Sequence, residues 1–290
     1  MYEYLRQHPQ IFFPISENDY SRVKEPNHFC PELEILEKDA IRDRKDYLDL
    51  YRGSGQARRR GDASTNHLYS ETAAERIKRF SPDARILIML RPPVDQMRSY
   101  HSELLRHDQE DIPDFYEALD ASEDRRNGRR IPEGTTVPRC LDYFAISRFA
   151  EQVERYYDVF GKDAVKVVLQ EDLIAVPAAT FYDILSFLDV DVSFQPIFKV
   201  HNETPRNGFL ERVVRSIYTA PMVKNAISAA IPWSVRRSSL LFIRRIDKDR
   251  QLPDPRDHQL RRMYVPEVER LAALIGRNLD HWQPQEGHRR

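Results

Sequence analysis

The chain has 290 residues, 41% apolar and 31% charged, which permits one large domain or two small ones with ample core. A net charge of −1 gives no global field for nucleic acid, and no apolar run approaches the length of a membrane span. The opening MYEYLRQHPQ lacks a basic stretch followed by an apolar one, so it does not read as a secretory signal. Cys30 and Cys140 are far apart in sequence and form no metal-ligand pair; their scarcity fits a reducing compartment, and the expected location is cytoplasmic.

Residues 11–15 (IFFPI) form a short apolar run, followed by a polar loop through Lys24, Glu25 and Pro26. The strongest strand signal is 85–90 (RILIML), a continuous run of the kind buried on both faces of a parallel sheet. Pro92 and Pro93 close it, and a helix is predicted over 93–106 with Val94, Met97, His101, Leu104 and Leu105 on one face. The helical period returns over 146–160 through Ile146, Phe149, Val153, Tyr156 and Phe160, with Gly161 as the stop. A second buried strand follows at 164–169 (AVKVVL), then a helix opened by Pro177 and carrying Phe181, Ile184, Leu185 and Leu188. The last helices are predicted over 257–264 and 266–275, with Gly276 as the stop. Strand, helix, helix, strand, helix is the order of an α/β fold with a parallel sheet, here a single domain over 1–290 with a helical C-terminal part. The segments 201–207 and 226–246 give no clear element. The basic clusters at 58–60, 125–130, 236–237 and 244–245 read as solvated loops and helix faces.

The chemistry is concentrated in 85–101, RILIMLRPPVDQMRSYH. A buried strand ends in Arg91, a helix starts within two residues, and Ser99 falls near its second turn. The C-terminal edge of a parallel strand faces the ligand crevice of an open sheet, and a helix N-terminus there favours an anion. A guanidinium fork and a hydroxyl complete a phosphate site. The other reading of Arg91 is an arginine that ends a strand and pairs with Asp95.

Leu90-Arg91-Pro92-Pro93-Val94-Asp95-Gln96-Met97-Arg98-Ser99 resembles the 3′-phosphate signature of PAPS-dependent sulfotransferases, with Pro92 and Gln96 in place of the usual Asn and Arg. Other segments resemble the bacterial and Golgi-type carbohydrate branch of that family, in order. They are Tyr4-Leu5 to His8-Pro9, Lys24-Glu25-Pro26 to His28-Phe29, and Gly61-Asp62-Ala63-Ser64. Towards the C-terminus come Ser147 to Phe160, Gln170-Glu171-Asp172-Leu173 and Leu274 to Trp282. The resemblance implies a P-loop-NTPase-like parallel sheet flanked by helices. It also implies PAPS (3′-phosphoadenosine 5′-phosphosulfate) as co-substrate, no metal, and a small-molecule or glycan acceptor. It carries the 3′-phosphate onto Arg91 and Ser99, with Ser147 assisting, and the role of general base onto Glu25. Alone, Glu25 also reads as a surface carboxylate paired with Lys24. His28 is a weaker candidate base, and His67 stands where the family often has Tyr.

The family's Lys-x-Gly-Thr-Thr/Ser loop is absent from this sequence, and the first strand that carries it would precede residues 1–4. The expectation is therefore a fold lacking its first strand and phosphate-binding loop, with strands 85–90 and 164–169 flanking an unfilled slot. Two functions stand: a sulfotransferase, or a sulfotransferase-like binding protein without turnover. A P-loop nucleotide kinase shares the fold but needs an acidic Mg²⁺ pair that does not follow the signature strand. The acceptor, whose contacts fall on 108–140 and 201–256, is not legible, and neither is the oligomeric state.

Overall fold

In the computed structural model, which describes residues 1–15, 20–35, 39–198 and 255–284, the elements of the first eighty residues are short. They are α1 (Tyr2–Leu5), β1 (Ile11–Phe12), α2 (Tyr20–Lys24), α3 (Arg44–Asp49), β2 (Arg59–Arg60), α4 (Asn66–Tyr69) and α5 (Ala73–Phe80). Longer elements follow: β3 (Ile86–Leu90), α6 (Pro93–Arg106), α7 (Phe115–Asp120), α8 (Ser122–Arg126), α9 (Tyr143–Ile146) and α10 (Phe149–Phe160). The described chain ends with β4 (Val165–Leu169), α11 (Gln170–Ala175), α12 (Pro177–Leu188), α13 (Pro255–Met263) and α14 (Val265–Ile275). The segments 201–207 and 226–246 lie outside the described residues.

A strand made only of apolar residues needs cover on both faces, and β3 receives it. Ile86, Ile88 and Leu90 pack with Val153 and Tyr156 of α10 and Val268 and Leu271 of α14. Leu87 and Met89 point the other way, into a core with Phe181 and Ile184 of α12, Leu5 of α1, and Ile11 and Phe13. Helix α6 starts at Pro93, where no N–H is needed, and buries Val94, Met97, His101, Leu104 and Leu105 as its period predicts. Two of the segments quoted for the resemblance meet each other. Asp172 takes two bonds from Arg277, at 2.9 and 3.0 Å, and Glu171 accepts from Trp282 Nε1 at 2.7 Å.

The structure corrects four expectations. The slot between 85–90 and 164–169 is not there. β3 and β4 are parallel and directly paired, from Ile86 opposite Val165 to Leu90 opposite Leu169. Among the described residues the strands form two separate parallel pairs, β1 with β2 and β3 with β4, rather than one sheet. Secondly, the helix predicted over 146–160 begins at Phe149, and Ile146 ends the separate α9. Arg148 leaves the helical region, and the side chain of Gln152 takes up the carbonyls of Ala145 and Ile146 at 3.1 and 3.3 Å, satisfying the end of α9. Thirdly, the helix predicted over 257–264 spans Pro255–Met263.

The fourth correction concerns the cluster 125–130. The side chain of Arg125 is fully buried and grips the equally buried Glu110 through both terminal nitrogens, at 2.6 and 2.5 Å. Tyr143 donates to the same carboxylate at 2.6 Å, and the N–H groups of Asp111 and Ile112 at 2.9 and 2.8 Å. Burial opposes the charge on Glu110, but the bonds from Arg125, Tyr143 and Ile112 outweigh it and hold the carboxyl below its ordinary value. Cys30 and Cys140, distant in sequence, also lie in one buried cluster, and burial pushes both thiols up to about 12.

Replacing Arg125 by Met strands a buried carboxylate, so unfolding by denaturant should show a loss of about 3–5 kcal/mol. The contribution of the pair should be complete above the ordinary Glu value of about 4.3 and disappear as pH falls through the lowered folded value. Wild-type stability at that site should therefore be unaltered between neutral pH and about pH 5.

Candidate functional site

Glu25 follows α2 in a loop with no regular structure, and the segment 61–66 after β2 holds that loop in place. Ala63 N–H donates to Lys24 O at 3.3 Å, and Asn27 N–H donates to Ser64 Oγ at 2.9 Å. Asp62 fixes the segment in turn, accepting from Ser64 N–H at 2.9 Å and Tyr47 OH at 3.0 Å. Asn27 has φ 50°, a left-handed conformation that asparagine tolerates well. Its amide nitrogen spans the loop, donating to Glu25 O at 2.9 Å and Asp39 O at 3.2 Å. Gly61 is required by close approach: a Cβ there would stand 2.2 Å from the ring of Phe13.

The carboxylate of Glu25 is half-buried and bonded at both oxygens. Lys24 Nζ lies 3.0 Å from Oε1 and Thr65 Oγ1 lies 3.0 Å from Oε2. The pairing with Lys24 that the simpler reading expects is thus present, together with a threonine contact that it does not include. His28 makes no hydrogen bond to this carboxylate; its Nδ1 lies 2.7 Å from Ile41 O and its ring stacks on Tyr47. His67 is buried against Phe29, its Nδ1 4.0 Å from Asp62 and its Nε2 without a hydrogen-bond partner among the described residues. Burial lowers its pKa, against the pull of Asp62 and Glu25, so it is a neutral imidazole.

Arg91 stands at the C-terminal end of β3, two residues before α6. It does not pair with Asp95, which goes to Arg261 at 2.6 Å. Its Nε donates to the neutral Gln96 Oε1 at 2.7 Å, and among the described residues no carboxylate lies within ion-pair distance. Burial pulls the guanidinium down from its ordinary value, against the nearby charges of Asp95 and Glu103. Ser99 is half-buried in the second turn of α6. Ser147 ends α9, which packs on α6, and its hydroxyl is wholly buried with no hydrogen-bond partner among the described residues. Buried hydroxyls are normally satisfied, so a hydroxyl left bare among the described residues, like a half-buried cation with no carboxylate at ion-pair distance among them, fits an anionic group.

Lys24, Glu25, Asp62, Ser64 and Thr65 are therefore brought into one bonded cluster. No hydrogen bond or ion pair among the described residues joins Arg91, Ser99 or Ser147 to it. Thr65, Asn27 and Tyr47 escape a reading of the sequence, since their partners lie far along the chain.

No family model and no curated protein sequence matches this chain. Among solved structures, a sulfotransferase from Alicyclobacillus acidocaldarius is similar to it, with a TM-score of 0.66 and 28% identity. The match covers 97% of this chain and 91% of that one. The fold is that of a sulfotransferase: a mixed α/β core with small parallel pairs and many helices. No described helix is long and apolar enough to cross a membrane.

Because His67 is buried neutral, the unfolded chain binds its proton more readily than the folded one does. Stability should fall as pH drops below the unfolded value of about 6.5, by at most ~1.4 kcal/mol for this group between pH 7.5 and 5.5. Urea unfolding of His67→Gln and wild type at the two pH values should show the smaller dependence in the variant.

Proposed function

We propose that the chain is a PAPS-dependent sulfotransferase that moves a sulfuryl group to a hydroxyl or amine of a small-molecule or glycan acceptor. The observation that carries this reading is Arg91. It is a half-buried cation with no carboxylate at ion-pair distance among the described residues, at the end of a parallel strand and the start of a helix, in a chain sharing its fold with a bacterial sulfotransferase. Such a group gains from a phosphate what a surface arginine already obtains from water or a neighbouring carboxylate. Arg91 and Ser99 would hold the 3′-phosphate, and the unpartnered hydroxyl of Ser147 offers a third contact close to α6.

When bound, PAPS supplies the sulfuryl group and the phosphate from which it departs. Glu25 would take the proton of the acceptor as its oxygen or nitrogen bonds to sulfur, and the electron pair of the broken S–O bond leaves on the phosphate. A carboxylate can do this within hydrogen-bond reach of the acceptor, and the half-exposed position of Glu25 allows that approach. Lys24, 3.0 Å from Glu25, adds a positive charge to the same surface. The alternative, a sulfotransferase-like protein that binds without turnover, keeps the Arg91 contact and lacks the proton transfer.

Calorimetric titration with PAP (3′-phosphoadenosine 5′-phosphate) should show Arg91→Ala weakening binding by roughly 2–4 kcal/mol and Ser99→Ala by on the order of 1 kcal/mol. Unchanged affinity for Arg91→Ala removes the cofactor assignment.

Turnover of labelled PAPS across an acceptor panel should fall about 10²–10⁴-fold in Glu25→Gln with PAP affinity retained. PAP binding without turnover by the unaltered chain selects the binding protein.

A further inference from the structure

Thr65 occupies the position before the first turn of α4, where a threonine ordinarily accepts from a backbone N–H of its own helix. It makes no such bond. Its hydroxyl instead donates across forty residues to Glu25 Oε2 at 3.0 Å, and its N–H lies 3.4 Å from the same oxygen. Lys24 Nζ is the donor to the other oxygen. A carboxylate oxygen has about two acceptor sites, so Oε2 is taken up by Thr65 while Oε1 keeps one site open beside Lys24. From this asymmetry we propose, building on the function above, that Thr65 is a positioning residue. It anchors Glu25 through Oε2 and leaves Oε1 as the oxygen that receives the acceptor proton.

A glutamate on a half-exposed loop otherwise samples several rotamers and exchanges its two oxygens by a turn of the last bond. A base must stand within hydrogen-bond reach of the proton it takes, and small misplacements there are costly in rate. Thr65 is itself exposed, so its bond to Glu25 adds little to the fold, and removing the hydroxyl leaves the loop to its anchors at Asn27 and Ser64. A donor is needed rather than a shape: serine can replace it and valine cannot.

The test is a double-mutant cycle on turnover with labelled PAPS, with PAP affinity measured alongside. Thr65→Val should lower kcat about tenfold, the lower end for a bond to a charged group, with PAP affinity and the KM for PAPS unchanged. Thr65→Ser should stay within about twofold of wild type, since the donor is kept. In the Glu25→Gln background Thr65→Val should cost less than about twofold, because no base is left to orient. Full kcat in Thr65→Val, or the same loss in both backgrounds, overturns the positioning role alone. No turnover by the unaltered chain overturns the proposed function and this role with it; no loss in Glu25→Gln removes Glu25 as the base, and this role with it, while the transferase stands.

Discussion

A carboxylate that is to take a proton from another molecule must be held still where water can reach it, and water competes for every bond that holds it. Regular structure gives little help here. β1 and β2 are two residues each, and α4 is four. The loop carrying Glu25 is instead tied to the 61–66 segment by bonds between backbone and short polar side chains, through Asn27, Asp62 and Ser64. Each is worth about 1 kcal/mol where the alternative is a bond to water, and more where the alternative is a buried group left bare. Asn27 and Ser64 are buried, so their bonds fall in the second class. The residue types are accordingly specific: an asparagine that accepts a left-handed turn and a serine whose hydroxyl accepts from a backbone N–H.

Arg91 is presented by the opposite strategy. It comes at the end of a strand covered on both faces and before a helix that opens on proline, so its backbone is fixed by hydrogen-bond ladders and packing. The nearby acidic groups are engaged elsewhere: Asp95 with Arg261, and Glu103 with Arg106. The first of these pairs also joins α6 to α13. Both draw on carboxylates that would otherwise serve Arg91, and leave a partly desolvated positive charge whose cost an anion can offset.

Much of this was legible in the sequence because it depends on local rules. The apolar runs at 85–90 and 164–169, the prolines at 93 and 177, and the glycines at 161 and 276 mark their elements within a residue or two. What was not legible depends on contacts distant in the chain. Nothing near Arg125 distinguishes it from Arg129, yet one is buried on Glu110 and the other is exposed on Asp124. Thr65 looks like an ordinary helix cap until its partner forty residues away is known. The break between α9 and α10 turns on Gln152 reaching back to two carbonyls, which an apolar period does not encode. Strand pairing failed for a related reason: apolar composition shows that β3 and β4 are buried, but not which neighbour each one takes.

The two strand pairs bear on how the site residues stand relative to one another. Glu25 is tied to the segment that follows β2, and Arg91 to β3, and no ladder joins those pairs among the described residues. They meet in the core where Ile11 of β1, Phe13 just after it and Ala63 beyond β2 pack with Leu87, Met89 and Val168 of the second pair. Apolar packing is non-directional and tolerates small shifts, whereas a parallel ladder fixes register by residue. The spacing between the carboxylate and the cation is thus governed by side-chain volumes. Phe13 is central to that relation. Its ring lies in the shared core and also covers Gly61, where no Cβ fits, so one side chain ties the segment holding Glu25 to the core behind Arg91.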